Sequence, residues 1–266
     1  MNNLHRDLAP VTTAAWEQID QQVTRTFTTN SAARRVVDVI DAEATTAAVG
    51  TGHLRPVQTL DEHVQAHQRL AAPVIELRIE FTLDRSDIDD VERGGQDGNW
   101  TPTADAAVAL AGAEDQAILE GFSAAHIVGI LGAAGDRAVE RPDRVDEYPA
   151  AVARALTSLR HTGVGGPYAL LLGDNDFIAA SATTEHGFPV ADHLRRLLDG
   201  DVLRAPTLSA PIVLTTRGGD FAMYLVQDVS VGYLDHTPTT VRLYLQEAFT
   251  FLDATSEAAV ALTSGS

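Results

Sequence analysis

Residues 212–252 read IVLTTRGGDFAMYLVQDVSVGYLDHTPTTVRLYLQEAFTFL, and apolar side chains recur there at every second position. Phe221, Met223 and Leu225 are followed by Val229, Val231 and Tyr233, then by Val241, Leu243, Leu245, Phe249 and Phe251. A period of two places one set of side chains on a single face of an extended strand. The stretch therefore predicts at least four consecutive strands in a sheet with one buried face. Arg217-Gly218-Gly219-Asp220 marks a tight turn, because glycine reaches positive φ without a Cβ clash. Asp235-His236-Thr237-Pro238 marks a looser one. Glu247 falls on the apolar parity, which predicts a bulge or a charged partner across an interface.

The rest of the chain mixes helices and strands. Leu4–Pro10 is expected to be an arm ordered only by contact with something else. Thr12 or Thr13 can cap a helix to about Asn30, with Trp16, Ile19, Val23 and Phe27 forming one narrow apolar stripe. Arg34–Ile40 reads as a short strand. Residues 41–72 lose periodicity and collect Gly50, Gly52, Pro56 and three histidines, an unusually long loop for a compact domain. Val74–Leu83 alternates cleanly and is expected to be a strand. Ser86–Arg93 follows as a short helix. Thr101 with Pro102 opens a helix expected to run to His126 and to bury Ala107, Leu110, Ala111, Ile118, Phe122 and Ala125. Residues 129–149 read as a flexible crossing. Helices at 149–160, 175–182 and 190–199 and a strand at 168–172 form an α/β patch.

Bulk properties exclude several classes. A 45% hydrophobic content without any run of about 18 apolar residues predicts a globular, non-membrane chain. The opening MNNLHRDLAP has no apolar stretch, so no secretory signal is expected. The chain has no cysteine, which removes disulfides and thiolate chemistry. Its 19 basic residues, all arginine, face 37 acidic ones for a net charge of −18. DNA carries about one negative charge per 1.7 Å, so this balance weighs against packaging nucleic acid.

Catalytic constellations are sparse, and no catalytic residue, metal site or cofactor is assigned. His63 and His67 stand at i, i+4, a zinc-binding spacing only if helical, and Val64 occupies the position where a zincin has its glutamate. Glu185-His186 has no nucleophile near it in sequence. There is no G-x-S-x-G and no phosphate-binding glycine loop.

QDVSVGYLDH and TVRLYLQEAFTF, with RRVVDV at 34–39 and the opening NNLHRDLAPVTTAAW, resemble the encapsulin shell proteins. The resemblance runs from Asn2 to about Ala261. It implies an α+β chain with the Hong Kong 97-type phage major capsid fold. In that reading residues 1–40 supply the arm, helix and strand of the peripheral domain, and 41–73 an extended two-stranded E-loop. The peripheral domain continues through 74–130 with its spine helix. The axial domain occupies 131–211, the peripheral sheet 212–262, and 263–266 a disordered tail. The implied function is that of a shell protomer, not an enzyme. It would assemble into a closed, sixty-subunit icosahedral nanocompartment in the cytoplasm. The guest would be a dye-decolorising peroxidase or a ferritin-like protein, serving oxidative-stress defence or iron storage.

The resemblance also implies two sites. A groove for the guest's C-terminal tail would use Phe27, Val231 and Leu234 as apolar pockets and Arg34, Asp38 and Asp228 for charge-assisted hydrogen bonds. Two or three aliphatic anchors at about 1.5–3 kcal/mol each imply roughly micromolar binding after ordering costs. A guest with several tails would need no more. Read from residues alone, Phe27 fits a domain core equally well, and Arg34 with Asp38 fits a local salt bridge. Thr184, Glu185, His186 and Gly187 match a fivefold pore loop, where ringed charges would act on passing ions; without the resemblance they are an ordinary turn. The missing lysines exclude the lysine–asparagine cross-link of some phage relatives. The rival readings are a phage capsid protein packaging DNA, and a secreted bacteriocin or peptidase.

Overall fold

The computed structural model describes residues 3–263 except 97, 135, 136 and 186. In chain order the main elements are α1 (Thr13–Asn30), β1 (Asp38–Asp41), β2 (Ala48–Val57), β3 (Ala66–Pro73), β4 (Ile75–Asp84), α2 (Arg85–Glu92) and α3 (Thr101–Asp115). Then come β5 (Val139–Glu140), α4 (Tyr148–His161), β6 (Tyr168–Leu172), α5 (Asp174–Ala182), α6 (Val190–Leu198), β7 (Val202–Arg204), β8 (Ile212–Thr215), β9 (Phe221–His236), β10 (Thr240–Asp253) and β11 (Ala259–Thr263). The chain divides into two compact units, the first comprising residues 1–31, 76–115 and 227–248, and the second 32–75, 116–226 and 249–266.

In the first unit the alternation of β4, β9 and β10 supplies one apolar sheet face. Phe81, Leu83, Val231, Val241, Leu243 and Leu245 pack there against Ile19, Val23 and Phe27 of α1 and Leu110 of α3. Ala107 and Ala111 are fully buried and let α1 and α3 approach closely. Thr12 caps α1, its hydroxyl accepting from the Ala15 N–H at 3.3 Å. Trp100 donates its indole N–H to Gln18 Oε1 at 3.1 Å, a partner within the unit.

Three expectations change in this unit. The block at 212–252 holds three strands rather than four, because Phe221–His236 is one strand of 16 residues. Nothing between Leu225 and Val229 turns the chain, and the apolar parity passes through Gln227 unbroken. The buried face is also not single: Tyr244, Gln246 and Thr250, on the other parity, are all buried. Finally, the arm is ordered by its own unit. Tyr233 N–H donates to Leu4 O at 2.8 Å, and the Tyr244 hydroxyl donates to Asn3 O at 3.0 Å. Arg6 pairs with Asp20 at 2.8 Å and lies 4.0 Å over the Trp16 ring.

The helix expected to reach His126 ends at Asp115, and Gln116–Glu120 widen into a π turn. Gly121 follows at φ 107°, and a Cβ on Gly129 would stand 2.2 Å from the Gly121 nitrogen. Only a glycine pair tolerates that approach, so the chain reverses here. Phe122 is 41% exposed, not buried.

The second unit is built on a five-stranded sheet in the order β7–β6–β8–β11–β5. All of Tyr168–Leu172 is buried, as befits an inner strand covered on both faces. Arg34–Ile40 is not one strand: Ala33–Arg35 is a 3₁₀ turn and pairing begins at Asp38. β1 runs parallel to the start of β9, Asp38 opposite Ala222 through Asp41 opposite Leu225. The tight turn forms as expected, with Gly218 and Gly219 at φ 86° and 84°. Arg217 clamps it by donating to both carboxylate oxygens of Asp220 at 2.8 Å. Thr263 ends β11; residues 264–266 of the expected tail lie outside the described residues.

Two carboxylates of this unit respond to pH in opposite senses. Hydrogen bonding from Arg217 holds Asp220 below the usual carboxylate range, so its contribution to stability is lost as pH falls through that lowered value. Burial, reinforced by Glu257 and Asp220, pushes Asp253 up. Ionised Asp253 therefore burdens the folded state, and the burden grows as pH rises from the unfolded value near ~4 to the raised folded one. Asp253→Asn still accepts from the Thr255 N–H, a 3.1 Å contact in the parent. The variant is expected to melt above the parent at neutral pH, with the gap closing below pH ~4. Equal melting temperatures at neutral pH would contradict this account.

Candidate functional site

Four features stand out for what they leave exposed or bring together. The first is the arm formed by β2 and β3, two antiparallel strands pairing Ala48 with Pro73 through Val57 with Ala66. The residues alone predicted a structureless loop; the resemblance implied two strands. The register shifts between Gly50 and Leu54, where Gly52 sits at φ 78°. Leu54, Leu60 and Val64 are 60%, 97% and 51% exposed. His63 lies in a turn and His67 in β3, so the spacing that would bring two histidines to one helical face has no helix to act on. Among the described residues no group of three or more histidines and carboxylates is placed to hold a metal.

The second feature is the tail-groove set. In the first unit Phe27 and Val231 meet in the hydrophobic core, 4% and 1% exposed. Both side chains are part of that core. Leu234 is not brought to them. Three residues along an unbroken strand reverse the side chain, so Leu234 faces away from Val231. Asp228 is exposed on the same strand.

In the second unit Arg34 is half-buried in the 3₁₀ turn. Asp38 accepts from the Gly219 N–H at 2.6 Å, so its carboxylate also holds the Arg217–Asp220 turn. A cleft of about 80 Å³ beside it is lined by Arg35, Val36, Asp38, Thr215, Gly218 and Asp220. Next to Arg34, Arg35 pairs with Asp201 at 3.1 Å.

The third feature is the turn after α5. Thr184 and Glu185 pair antiparallel with Pro189 and Phe188, and Gly187 makes the reversal at φ 86°. Thr184 and Gly187 are exposed; His186 lies outside the described residues. Sequence reasoning missed Phe188, 51% exposed beside Thr184–Gly187 with the Arg196 guanidinium 5.7 Å from its ring.

The fourth feature is also one that reading the sequence missed. A Cβ on Gly232 would stand 2.0 Å from Tyr244 Cζ, so the tyrosine ring lies flat over the glycine. Arg78 covers the ring at 4.1 Å, and the ring hydroxyl holds the arm through Asn3. The one available signal was a glycine inside a strand pattern, which marks a close approach.

Among the described residues no helix is long and apolar enough to cross a membrane. A family model described as "Encapsulating protein for peroxidase" matches residues 1–250. The type 1 encapsulin shell protein of Mycobacterium tuberculosis is 50% identical over 264 residues, covering 99% of this chain and 100% of its own length. That of Rhodococcus erythropolis is 48% identical over 263 residues, covering 98% and 100%. Among solved structures, the virus-like particle from Pyrococcus furiosus superposes with a TM-score of 0.66 at 14% identity, covering 93% of this chain and 99% of its own. Mycobacterium phage Cain superposes at 0.56 and 13% identity, covering 89% and 90%. At such low identity these two show the fold alone.

Proposed function

Since the chain belongs to the encapsulin shell-protein family, structural proteins rather than enzymes, and carries the Hong Kong 97 capsid fold, we propose that it closes into a sixty-subunit icosahedral compartment in the cytoplasm around a guest enzyme. The observation that carries self-assembly is the β2–β3 arm. A two-stranded hairpin is marginal in water on its own, and this one shows solvent Leu60 at 97% exposure. Such an arm gains burial when a second copy covers it, and closed symmetry uses that contact many times. The purified protein should give closed particles of uniform diameter in negative stain. A monodisperse monomer at high concentration would overturn the proposal.

The guest is a peroxidase or a ferritin-like protein held by its C-terminal tail. Phe27 and Val231 contribute apolar wall, Leu234 a contact on the opposite strand face, and Arg34, Asp38 and Asp228 the charges. Arg34→Ala with Asp38→Asn leaves an amide oxygen to accept from Gly219. The double variant is therefore expected to assemble empty. Guest that still co-purifies would remove these two residues from the site. The net charge of −18 disfavours the alternative of a DNA-filled capsid.

Thr184, Glu185, His186 and Gly187 line the fivefold opening in this reading. Replacing Glu185 and His186 by alanine is expected to change the rate at which small ions enter assembled shells; an unchanged rate counts against a gate.

A further inference from the structure

We propose that Tyr233, paired with His236, is the residue of this chain that yields first to a one-electron oxidant, and that it captures phenoxyl radicals as covalent biaryl adducts. This goes beyond the shell function and stands whether or not a guest is enclosed.

A phenol gives up an electron readily only when its proton can leave at the same time, because the radical cation is strongly acidic. A positioned base therefore decides which tyrosine is oxidised. The Tyr233 hydroxyl lies 2.5 Å from His236 Nδ1, with the ring centroids 6.1 Å apart. With the imidazole neutral and its own proton on Nε2, the phenol donates and Nδ1 can take the proton outright. His236 is the last residue of β9, where the chain turns towards β10, so its ring comes back to a residue three positions earlier. Tyr233 is half-buried and His236 exposed, which leaves the pair open to a small radical.

Tyr148, Tyr168, Tyr244 and both tryptophans lack this arrangement. Tyr168 donates to Val164 O at 2.8 Å and Tyr244 to Asn3 O at 3.0 Å, and a peptide carbonyl is too weak a base to keep a proton. The Tyr148 hydroxyl accepts from Arg141 Nε at 3.2 Å. All three tyrosines are buried. Each also has a guanidinium close by, Arg160 at 5.7 Å from the Tyr168 ring and Arg78 at 4.1 Å from that of Tyr244, which opposes positive charge on the ring. Arg6 does the same 4.0 Å over Trp16. Trp100 donates to the Gln18 amide oxygen, which is no base. Tyr224, half-buried on the same strand, serves as the comparison.

The chemistry balances with a phenoxyl radical as the sole co-reactant. A first radical takes the electron from Tyr233 while the phenolic proton passes to His236. The resulting phenolate then recovers a proton from the imidazolium through water. That leaves a free phenol, a neutral histidine and a tyrosyl radical. A second phenoxyl radical couples to it through the ring carbons ortho to oxygen. One C–C bond forms, and the two displaced ring hydrogens move to the two oxygens.

The test treats the purified chain with biotin-tyramide, a soluble haem peroxidase and hydrogen peroxide, and maps the adducts by mass spectrometry. Tyr233 is expected to carry most of the label, ahead of Tyr224. His236→Gln keeps a hydrogen-bond acceptor at an exposed position but removes the base. It is expected to lower labelling of Tyr233 relative to Tyr224 by about 10²-fold, the low end of what a positioned base contributes. Tyr233→Phe should remove the main adduct without a matching rise elsewhere. Equal labelling of Tyr224 and Tyr233, or a Tyr233 yield that His236→Gln leaves unchanged, overturns the proposal. Closed particles in negative stain without an adduct at Tyr233 also overturn it, and leave the shell reading standing.

Discussion

Shells will not form from a chain whose arm is cut back, although the chain itself will fold. Replacing residues 51–70 by an Asn-Gly turn keeps the pairing of Ala48–Gly50 with Ala71–Pro73 and removes everything beyond it. The excised segment is mostly exposed, so little of either unit's core goes with it. The first core draws on α1, α2, α3, β4, β9 and β10, and the five-stranded sheet of the second unit uses no arm residue. Circular dichroism and the melting temperature should therefore stay close to those of an intact protomer. Light scattering and electron microscopy should lose the particles altogether. Contacts repeated around a closed shell multiply the loss at one interface, so a graded decrease is not expected. Full-sized particles from the shortened chain would show that the arm is dispensable and that assembly rests elsewhere.

Gly232→Ala is expected to cost about 1–3 kcal/mol through overpacking. The new methyl would occupy the place of the Tyr244 ring, 2.0 Å from Cζ. For the ring to move, it must abandon the Arg78 guanidinium at 4.1 Å and its hydrogen bond to Asn3 at 3.0 Å. The arm residues at Asn3 and Leu4 should loosen with it and become more open to protease. Tyr244→Ala alone also destabilises, since the ring is 2% exposed. With the ring gone, alanine at 232 fits, and the double variant should be clearly more stable than the sum of the two changes predicts. Measuring this in the arm-shortened background reads folding apart from assembly. Additive effects would mean that the ring and the glycine are not coupled.

The period of two at 221–251 and the apolar stripe Ile19–Val23–Phe27 determined a sheet with a helix laid across it, since each pattern has one way to hide its side chains. The resemblance determined the two-stranded arm, which the residues of 41–72 alone did not reveal because so few of its side chains are buried. Strand continuity through Gln227 was also legible, since no turn residue stands between Leu225 and Val229.

What the sequence by itself settled is which positions are apolar with which period, and so what kind of element each segment becomes. Only the tertiary structure decided which faces are covered twice and which edges stay open. Tyr244, Gln246 and Thr250 fall off the apolar parity, yet all are buried. Burial on a second face depends on what another segment brings, as the arm does at Tyr244 through Asn3, and segments distant in sequence leave no local pattern. Leu234 and Val231 are close neighbours in the chain but face opposite ways, because direction along a strand is fixed by its full pairing and not by proximity.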